Sequence, residues 1–325
     1  ICYILEIFKS SKLFYRQQEQ KLWKSILKGE QVQAMTRKVF TTLRLPRTVM
    51  ALIAGVGLGI AGSVYQIIFK NPLASPDIIG IAGGANLGAA VAIVSVSTSG
   101  MIAIAAGAFW GGLIAVVCVM LLVKATRSRS TSTYVLAGIV INAISKAAIM
   151  ALKYFADPEN ELAAMEYWEM GTFGNTTLSK LLSIRPMFLI GLAGILLLRR
   201  QIELMSLSDN ECRALGVRLR PVRAAVLALS TLMVGSIISV TGLISFAGLI
   251  APHTARLMLR RNDSTTIIMS GLVGAFVVLT ADILARVLYS AELPISILTT
   301  AKDLLCLGGV CVDRGQIACA ARADD

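Results

Sequence analysis

The stretch QIELMSLSDNECRALGVRLRPVR, residues 201–223, separates two apolar runs that are each long enough to cross a bilayer. These runs cover residues 181–198 and 224–240, so the polar stretch is a loop on one membrane face. Ser208 is placed to cap a short helix in this loop, and Gly216 is placed to end it. A short loop rich in arginine is usually retained in the cytoplasm. The loop is therefore either a solvated connector or a helix that a cytoplasmic partner binds.

The composition is that of an integral membrane protein. Of the 325 residues, 56% are hydrophobic and only 15% are charged, and the charges are concentrated between apolar runs. Backbone groups in hydrocarbon must bond to one another, so the spans are predicted to be helices rather than strands. The net charge of +12 suits the anionic inner leaflet and partner proteins, whereas nucleic-acid binding is not expected without a soluble basic domain.

The residue patterns do not predict a metal or cofactor site. The six cysteines contain no CxxC pair, which argues against a zinc site or a disulfide framework. His253 is the only histidine and has no neighbouring ligand pattern, so it is expected to cap or hydrogen-bond near a broken helix. Gly80, Gly84 and Gly88 recur every four residues, but no Lys-Ser/Thr pair follows them. They therefore predict close helix packing rather than a phosphate-binding loop.

About eight apolar runs are predicted to be membrane spans. The first carries Gly55, Gly59 and Gly62 for close packing against another helix, and the seventh is broken by Gly248 and Pro252. The runs cover residues 48–69, 78–96, 101–123, 134–153, 181–198, 224–240, an interrupted part of 241–263, and 265–288.

Two of these spans carry polar side chains. Asn142 and Lys146 are four residues apart and share a helix face, so they are expected either to line a translocation path or to bond to neighbouring helices. Asp282 and Arg286 are also four residues apart. An ion pair is expected between them, because a proton relay would need further acidic partners that the sequence does not offer.

Basic residues are distributed unevenly between the loops. Lysine and arginine are concentrated in alternate loops, including residues 124–129 and 199–223, and the opposite loops are poorer. The positive-inside rule therefore places residues 201–223 in the cytoplasm. Residues 1–47 disagree, because they are basic and yet fall on the outer side, which indicates either that a preceding span is missing or that this end is atypical.

Several motifs, in order along the chain, resemble the importer permeases for iron-siderophores, haem and cobalamin, a FecCD-like family that includes the vitamin B12 permease. They are RLPRTVMALIAGVGLGIAGSVYQIIFKNPLASPDIIGIAGGANLGA at 44–89, YWEMGTFGN at 167–175, LMSLSDNECRALGV at 204–217, GLISFAGLIAPHTARL at 242–257 and DILARVLYSAELP at 282–294. The resemblance covers roughly residues 40 to 300.

The resemblance implies an all-α integral membrane protein, a polytopic helical bundle of the vitamin B12 permease type. The family has ten helices, of which about eight are clear here. It also implies a multi-pass protein of the cytoplasmic membrane, surrounded by lipid, that forms a homodimer or heterodimer with a second permease subunit. Two cytoplasmic ATP-binding subunits and an extracytoplasmic substrate-binding protein complete the assembly. No GxxxxGK[ST] sequence occurs in the chain, which agrees with ATP hydrolysis on a separate subunit.

Site residues follow from the resemblance and from the polar residues in the spans. The family's ATPase-coupling helix corresponds to Leu207, Ser208, Asp209, Glu211, Arg213, Ala214, Leu215 and Gly216. Docking of the binding protein is expected at Arg44, Arg47 and Arg286, which would pair with acidic residues of that protein. Asn142 and Lys146 are the candidates for the translocation path.

The chain departs from the family pattern in three places. The family's first helix is missing before residue 40, so residues 1–44 are expected to be an extracytoplasmic loop region. Leu207-Ser-Asp209 replaces the usual Leu-Gly-Glu, so the capping of the coupling helix is expected to differ. After the permease domain at 45–300, residues 301–325 are expected to be an atypical tail in place of the last helix, which puts assembly of a working permease in question.

The expected function is the import of a ferric-siderophore-type chelate, driven by ATP. Haem or cobalamin transport by a permease of the same family is an alternative. A secondary transporter driven by an ion gradient is another, and it would have only Asp282 as a buried acidic residue. A defective remnant of the family is a further alternative. A membrane enzyme is disfavoured, because no carboxylates or histidines cluster for acid-base or metal chemistry.

Overall fold

The regular elements of the described chain are helices, as the sequence predicts. A computed structural model describes residues 40–95, 101–126, 131–216, 218–260, 263–288 and 294–300. The helices are α1 Leu45–Ile68, α2 Ile81–Ser95, α3 Met101–Ala125, α4 Thr131–Phe155, α5 Glu161–Met170, α6 Leu178–Leu197, α7 Arg199–Leu204, α8 Asp209–Ala214, α9 Leu219–Thr241, α10 Ala247–Leu259 and α11 Ser264–Leu288.

Six of the described helices are long and apolar enough to cross a membrane. They are α3, α4, α6, α9, α11 and the continuous segment Phe40–Phe69 that contains α1. α2 has 15 residues and α10 has 13, so the eight predicted runs become six full spans and two short helices. The predicted start of the second span at residue 78 was wrong by three residues. Gly80 adopts a φ of +93°, which a right-handed helix does not include.

The predictions about the two ends of the chain fall largely outside the described residues. Residues 1–39 and 301–325 are outside the described residues, so the extracytoplasmic loop region and the atypical tail stay predictions. Within the predicted loop region, Phe40–Arg44 forms one turn of π-helix that runs directly into α1. Those five residues are therefore helical rather than part of a loop.

Small residues bring two pairs of helices into backbone contact. A Cβ atom on Gly55 or Gly59 of α1 would overlap the backbone of Gly274 or Ser270 of α11. α2 meets α3 in the same way, since Gly84 and Gly88 lie against the backbone of Gly111 and Gly107. The predicted glycine packing is confirmed at these positions. It was wrong for Gly80, which lies in the turn before α2.

The predicted break in the seventh span is present, although it lies earlier than expected. Gly242 and Phe246 both have positive φ, +70° and +65°, and the non-helical residues between them lead to α10. Pro252 lies inside α10, where it has no N–H to donate to the carbonyl of Gly248. That carbonyl lies against Gly62 of α1, where any side chain would overlap it. The proline and the two glycines therefore let α10 pack closely on α1.

Burial divides the long helices into a core and a periphery. We compare the share of the most apolar 18 residues of each span that is buried inside this single chain. It is 83% for the segment that contains α1 and 72% for α9, against 17% for α4 and 22% for α6. α1 and α9 are consequently central. The apolar faces of α4 and α6 are available to lipid or to another subunit, as expected for a multi-pass membrane protein.

Candidate functional site

The short helix α8 forms within residues 201–223 where the sequence predicts it. The Ser208 side chain accepts a hydrogen bond from the Glu211 N–H, and the Glu211 carboxylate accepts bonds from the N–H and the hydroxyl of Ser208, at 2.8 and 2.6 Å. These bonds lower the pKa of Glu211. Gly216 follows with a φ of +78° and open space around it. This reciprocal capping box explains how so short a helix is held.

One side of α8 is anchored and the other is exposed. Cys212 is buried, and its Sγ lies 3.0 Å from the Leu204 carbonyl. Leu207 and Leu215 are 39% and 58% exposed, although they lie at a polar end of the bundle. Arg213 and Ala214 are exposed between them. The helix and its two ends therefore expose two leucines and an arginine.

A charged network fastens α8 to three other elements. The Asp209 carboxylate lies 3.0 Å from the Lys70 ammonium after α1 and 4.0 Å from the Arg223 guanidinium of α9. The Lys70 hydrogen bond is the main cause of a lowered pKa at Asp209. The buried Arg223 also lies 5.6 Å from the centre of the Tyr134 ring at the start of α4. Sequence reasoning missed this network, because its members are far apart in the chain.

A second charged group lies at the opposite end of α1. The two oxygens of Asp282 accept hydrogen bonds from Arg47 at 2.8 Å and from Arg286 at 2.6 Å. The predicted pair of Asp282 and Arg286 is confirmed, and Arg47 is the partner that sequence reasoning missed. Asp282 is fully buried, while 9% of the Arg47 side chain and 29% of the Arg286 side chain are exposed. Arg286 is therefore the more accessible of the two arginines.

The third predicted docking residue, Arg44, ends the π-helical turn before α1. It is partly buried, and its carbonyl accepts a hydrogen bond from the Thr48 hydroxyl. Arg44, Arg47 and Arg286 thus belong to the same end of the α1 and α11 pair, opposite the end that carries α8.

The polar residues of α4 lie in different surroundings. Asn142 donates a hydrogen bond of 2.6 Å to the Asp77 carbonyl, in the turn before α2, so it bonds to a neighbouring segment that is not itself a helix. Lys146 is exposed in this chain, although it lies in the middle of a membrane-spanning helix. A lysine there needs water or a second subunit beside it.

The Asp77 side chain lies at the start of α10. Its carboxylate accepts a hydrogen bond from the Phe246 N–H, and loss of hydration raises its pKa to about 6. Phe246 occupies the N-cap position of α10, so the carboxylate also meets the positive end of that helix. Sequence reasoning missed this contact, because a single aspartate in a proline-rich turn does not indicate which helix it will meet.

The described residues do not form a metal site of protein ligands. Within the ranges given above, no three histidine, cysteine, aspartate or glutamate side chains are grouped so that they could hold a metal ion. His253, which sequence reasoning assigned no ligand role, lies in α10.

Comparison with known proteins identifies the relatives of this arrangement. The model of the FecCD transport family matches residues 3–303. The molybdate import system permease protein MolB of Haemophilus influenzae is 35% identical over 270 residues, which cover 83% of this chain and 79% of that protein. The hemin transport system permease protein HmuU of Yersinia pestis is 34% identical over 267 residues, 81% of this chain and 79% of that protein.

A solved structure has the same fold. It is classed as a metal-chelate type ABC transporter in an inward-facing conformation. It superposes with a TM-score of 0.79 at 32% identity and covers 86% of this chain and 90% of that one.

Proposed function

Because the chain belongs to the FecCD transport family and is a multi-pass permease of an ABC importer, we propose that its cargo is an iron chelate of the ferric-siderophore type. The names of several relatives support this choice, since they include permeases for hemin, iron chelatin and Fe(3+)-citrate. Cobalamin and molybdate permeases also occur among the relatives. They define the competing cargoes.

Uptake in cells that lack their own chelate importers tests the cargo. The permease is expressed with the candidate ATP-binding and binding-protein subunits of its own genome, and cells are offered radiolabelled ferric siderophores, hemin, cobalamin or molybdate. We expect ferric-siderophore accumulation that stops when ATP is depleted. Accumulation of only molybdate or cobalamin would contradict the proposed cargo while leaving the importer class intact.

We further propose that α8 is the surface on which the ATP-binding subunit docks. The family implies a second permease and ATPase partners, and the exposed Leu207, Arg213 and Leu215 supply a contact of suitable chemistry. The Ser208 capping box keeps the helix formed before the partner arrives, which lowers the conformational cost of binding.

The test of this role combines Arg213→Glu, which reverses an exposed charge, with Ala214→Pro, which breaks the last turn of α8. We expect the ATPase to be lost from the purified complex. Arg220→Glu is the matched control, because Arg220 is also an exposed arginine near the same membrane face. If the ATPase stays bound to the combined variant as it does to the control, the loop is only a connector.

Docking of an extracytoplasmic binding protein is proposed at Arg44, Arg47 and Arg286. Arg286 is expected to contribute most directly, because Arg47 is buried against Asp282. A charge reversal, Arg286→Glu, should slow association of the binding protein and change its dependence on salt. An association rate equal to that of the wild type would refute a role for Arg286 in docking.

The translocation path is proposed to run along the face of α4 that carries Lys146, between this chain and a second permease subunit. Asn142 is proposed to shape that path indirectly, since its amide holds the turn before α2. Lys146→Met should alter the relative uptake of anionic and neutral chelates. Unchanged uptake ratios would place Lys146 outside the path.

The ion-gradient alternative had Asp282 as its only candidate acid in the sequence. The described hydrogen-bond partners of the Asp282 carboxylate are two arginines, so no acidic partner lies beside it to accept a proton.

A further inference from the structure

A small cavity lies where α2, α4 and α5 meet. Its volume is about 10 Å³, which is close to the smallest space that holds one water molecule. Alanine, isoleucine and methionine side chains form part of its wall. The polar part is formed by Asn86 of α2, Lys153 of α4, and Trp168 and Glu169 of α5.

Two polar atoms of these lining residues are shielded from solvent and have complementary hydrogen-bonding character. They are the Asn86 Oδ1, an acceptor, and the Trp168 Nε1, a donor, and neither has a hydrogen-bonding partner among the described residues. Leaving either atom unpaired is costly in a protein interior. A ligand that both accepts and donates would satisfy them together.

Lys153 and Glu169 add a second donor and a second acceptor. The Lys153 ammonium has three N–H groups. It binds the Glu166 and Glu169 carboxylates at 2.7 and 2.8 Å, and no described residue uses its third N–H. The Glu169 oxygens retain lone pairs after accepting this bond. The polar wall therefore offers two donors and two acceptors, the set that a water molecule uses when it makes four hydrogen bonds.

We propose that this cavity is a binding site for one internal water molecule, which joins α5 to α2 and α4. The water accepts from the Trp168 indole and the Lys153 ammonium, and it donates to the Asn86 oxygen and the Glu169 carboxylate. A metal cation does not suit the site, because two of the four groups present N–H bonds. A bare anion does not suit it either, because the other two present oxygen atoms.

The proposal is tested by the sign of a stability change. Asn86→Leu keeps nearly the same shape and removes the acceptor, together with amide N–H groups that bond to no described residue. With water in the cavity, the water loses a bond and the melting temperature falls by a few degrees, on the order expected for one buried hydrogen bond. In a dry cavity the same change removes an unpaired oxygen and raises the melting temperature, which would overturn the proposal.

Trp168→Phe and the double variant complete the thermal test. Trp168→Phe removes the donor, and combining it with Asn86→Leu should destabilise by less than the sum of the two single changes, because both variants disturb the same water. Strict additivity would contradict the proposal. Trp110→Phe is the matched control, since Trp110 of α3 is 58% exposed and reports the general cost of replacing a tryptophan.

A measurement on the wild-type protein tests for the water molecule even if a variant does not fold. The chain has three tryptophans, so the indole N–H signals of ¹⁵N-labelled protein in nanodiscs can be assigned by single Trp→Phe changes. We expect a through-space cross-peak between the Trp168 indole N–H and a long-lived water. An indole N–H that is shielded from exchange and has no cross-peak to water would refute the site.

Discussion

Replacing Asp282 by asparagine should destabilise the protein far more than replacing a surface carboxylate. The carboxylate is fully buried and holds Arg47, whose side chain is 9% exposed, and Arg286, whose side chain is 29% exposed. Asparagine keeps the volume and one oxygen but removes the negative charge that both arginines face. Removing one member of a buried ion pair costs about 3–5 kcal/mol. Since Arg286 can be hydrated, the destabilisation arises mainly at Arg47, and we expect the free energy of unfolding to fall by about 3 kcal/mol.

The assay is thermal unfolding of the purified permease in nanodiscs. At about 2–4 °C for each kcal/mol, Asp282→Asn should lower the melting temperature by roughly 6–12 °C. Glu159→Gln is the control, because Glu159 is an exposed carboxylate in the connection between α4 and α5. The combined change Arg47→Met and Asp282→Leu removes the buried pair as a unit and should restore much of the loss. If Asp282→Asn melts like the control, the buried carboxylate does not hold α1 to α11.

Three further changes have defined outcomes. Gly59→Leu should prevent recovery of folded protein on size-exclusion chromatography, because its side chain would overlap the Ser270 backbone. Gly216→Ala meets open space and only the strain of its φ of +78°, about 1–2 kcal/mol, so folded protein should still be recovered. Ser208→Ala should weaken ATPase binding by up to about fivefold through loss of the α8 cap, worth about 1 kcal/mol, and Ser208→Thr should restore it. The pKa of Asp77 is raised to about 6 from an ordinary value of 3.8, so the folded state binds this proton more tightly than the unfolded state does. The free energy of unfolding should therefore fall by at most about 3 kcal/mol as the pH rises from 4 to 7. Asp77→Asn should remove that part of the pH dependence of the melting temperature.

The sequence predicted the helices well because membrane insertion leaves few alternatives. Apolar length and the need to satisfy backbone groups in hydrocarbon determine where long helices lie, and they located α3, α4, α9 and α11 within a few residues. α10 was less predictable. Its start depends on the backbone conformation of Gly242 and Phe246, which composition does not reveal. Gly80 was misassigned for the same reason, since a four-residue glycine spacing does not report a positive φ.

Site prediction succeeded where the interaction is local and failed where it is distant. Ser208 was recognised as a helix cap, and Asp282 was paired with Arg286, because each contact spans only three or four residues along one helix. The Asp209 contact with Lys70 joins residues 139 positions apart, and Arg47 with Asp282 joins residues 235 positions apart. Such contacts depend on helix packing, which a single sequence does not encode in any local pattern.

The arrangement of these contacts indicates which helices move together. α1 is held to α11 by Arg47 at one end and by backbone contact at Gly55 and Gly59 along its length, and the Lys70 that follows it holds α8. Closely packed backbones slide or deform only at high cost, so α1 and α11 should move as one body when α8 is displaced. α4 is attached elsewhere, because the backbone of Gly138 packs against Ile78 and Ile79 in the turn before α2, and Asn142 bonds to the same turn. A displacement of α8 should therefore reach Arg286 through the unit of α1 and α11, while α4 should follow the turn before α2.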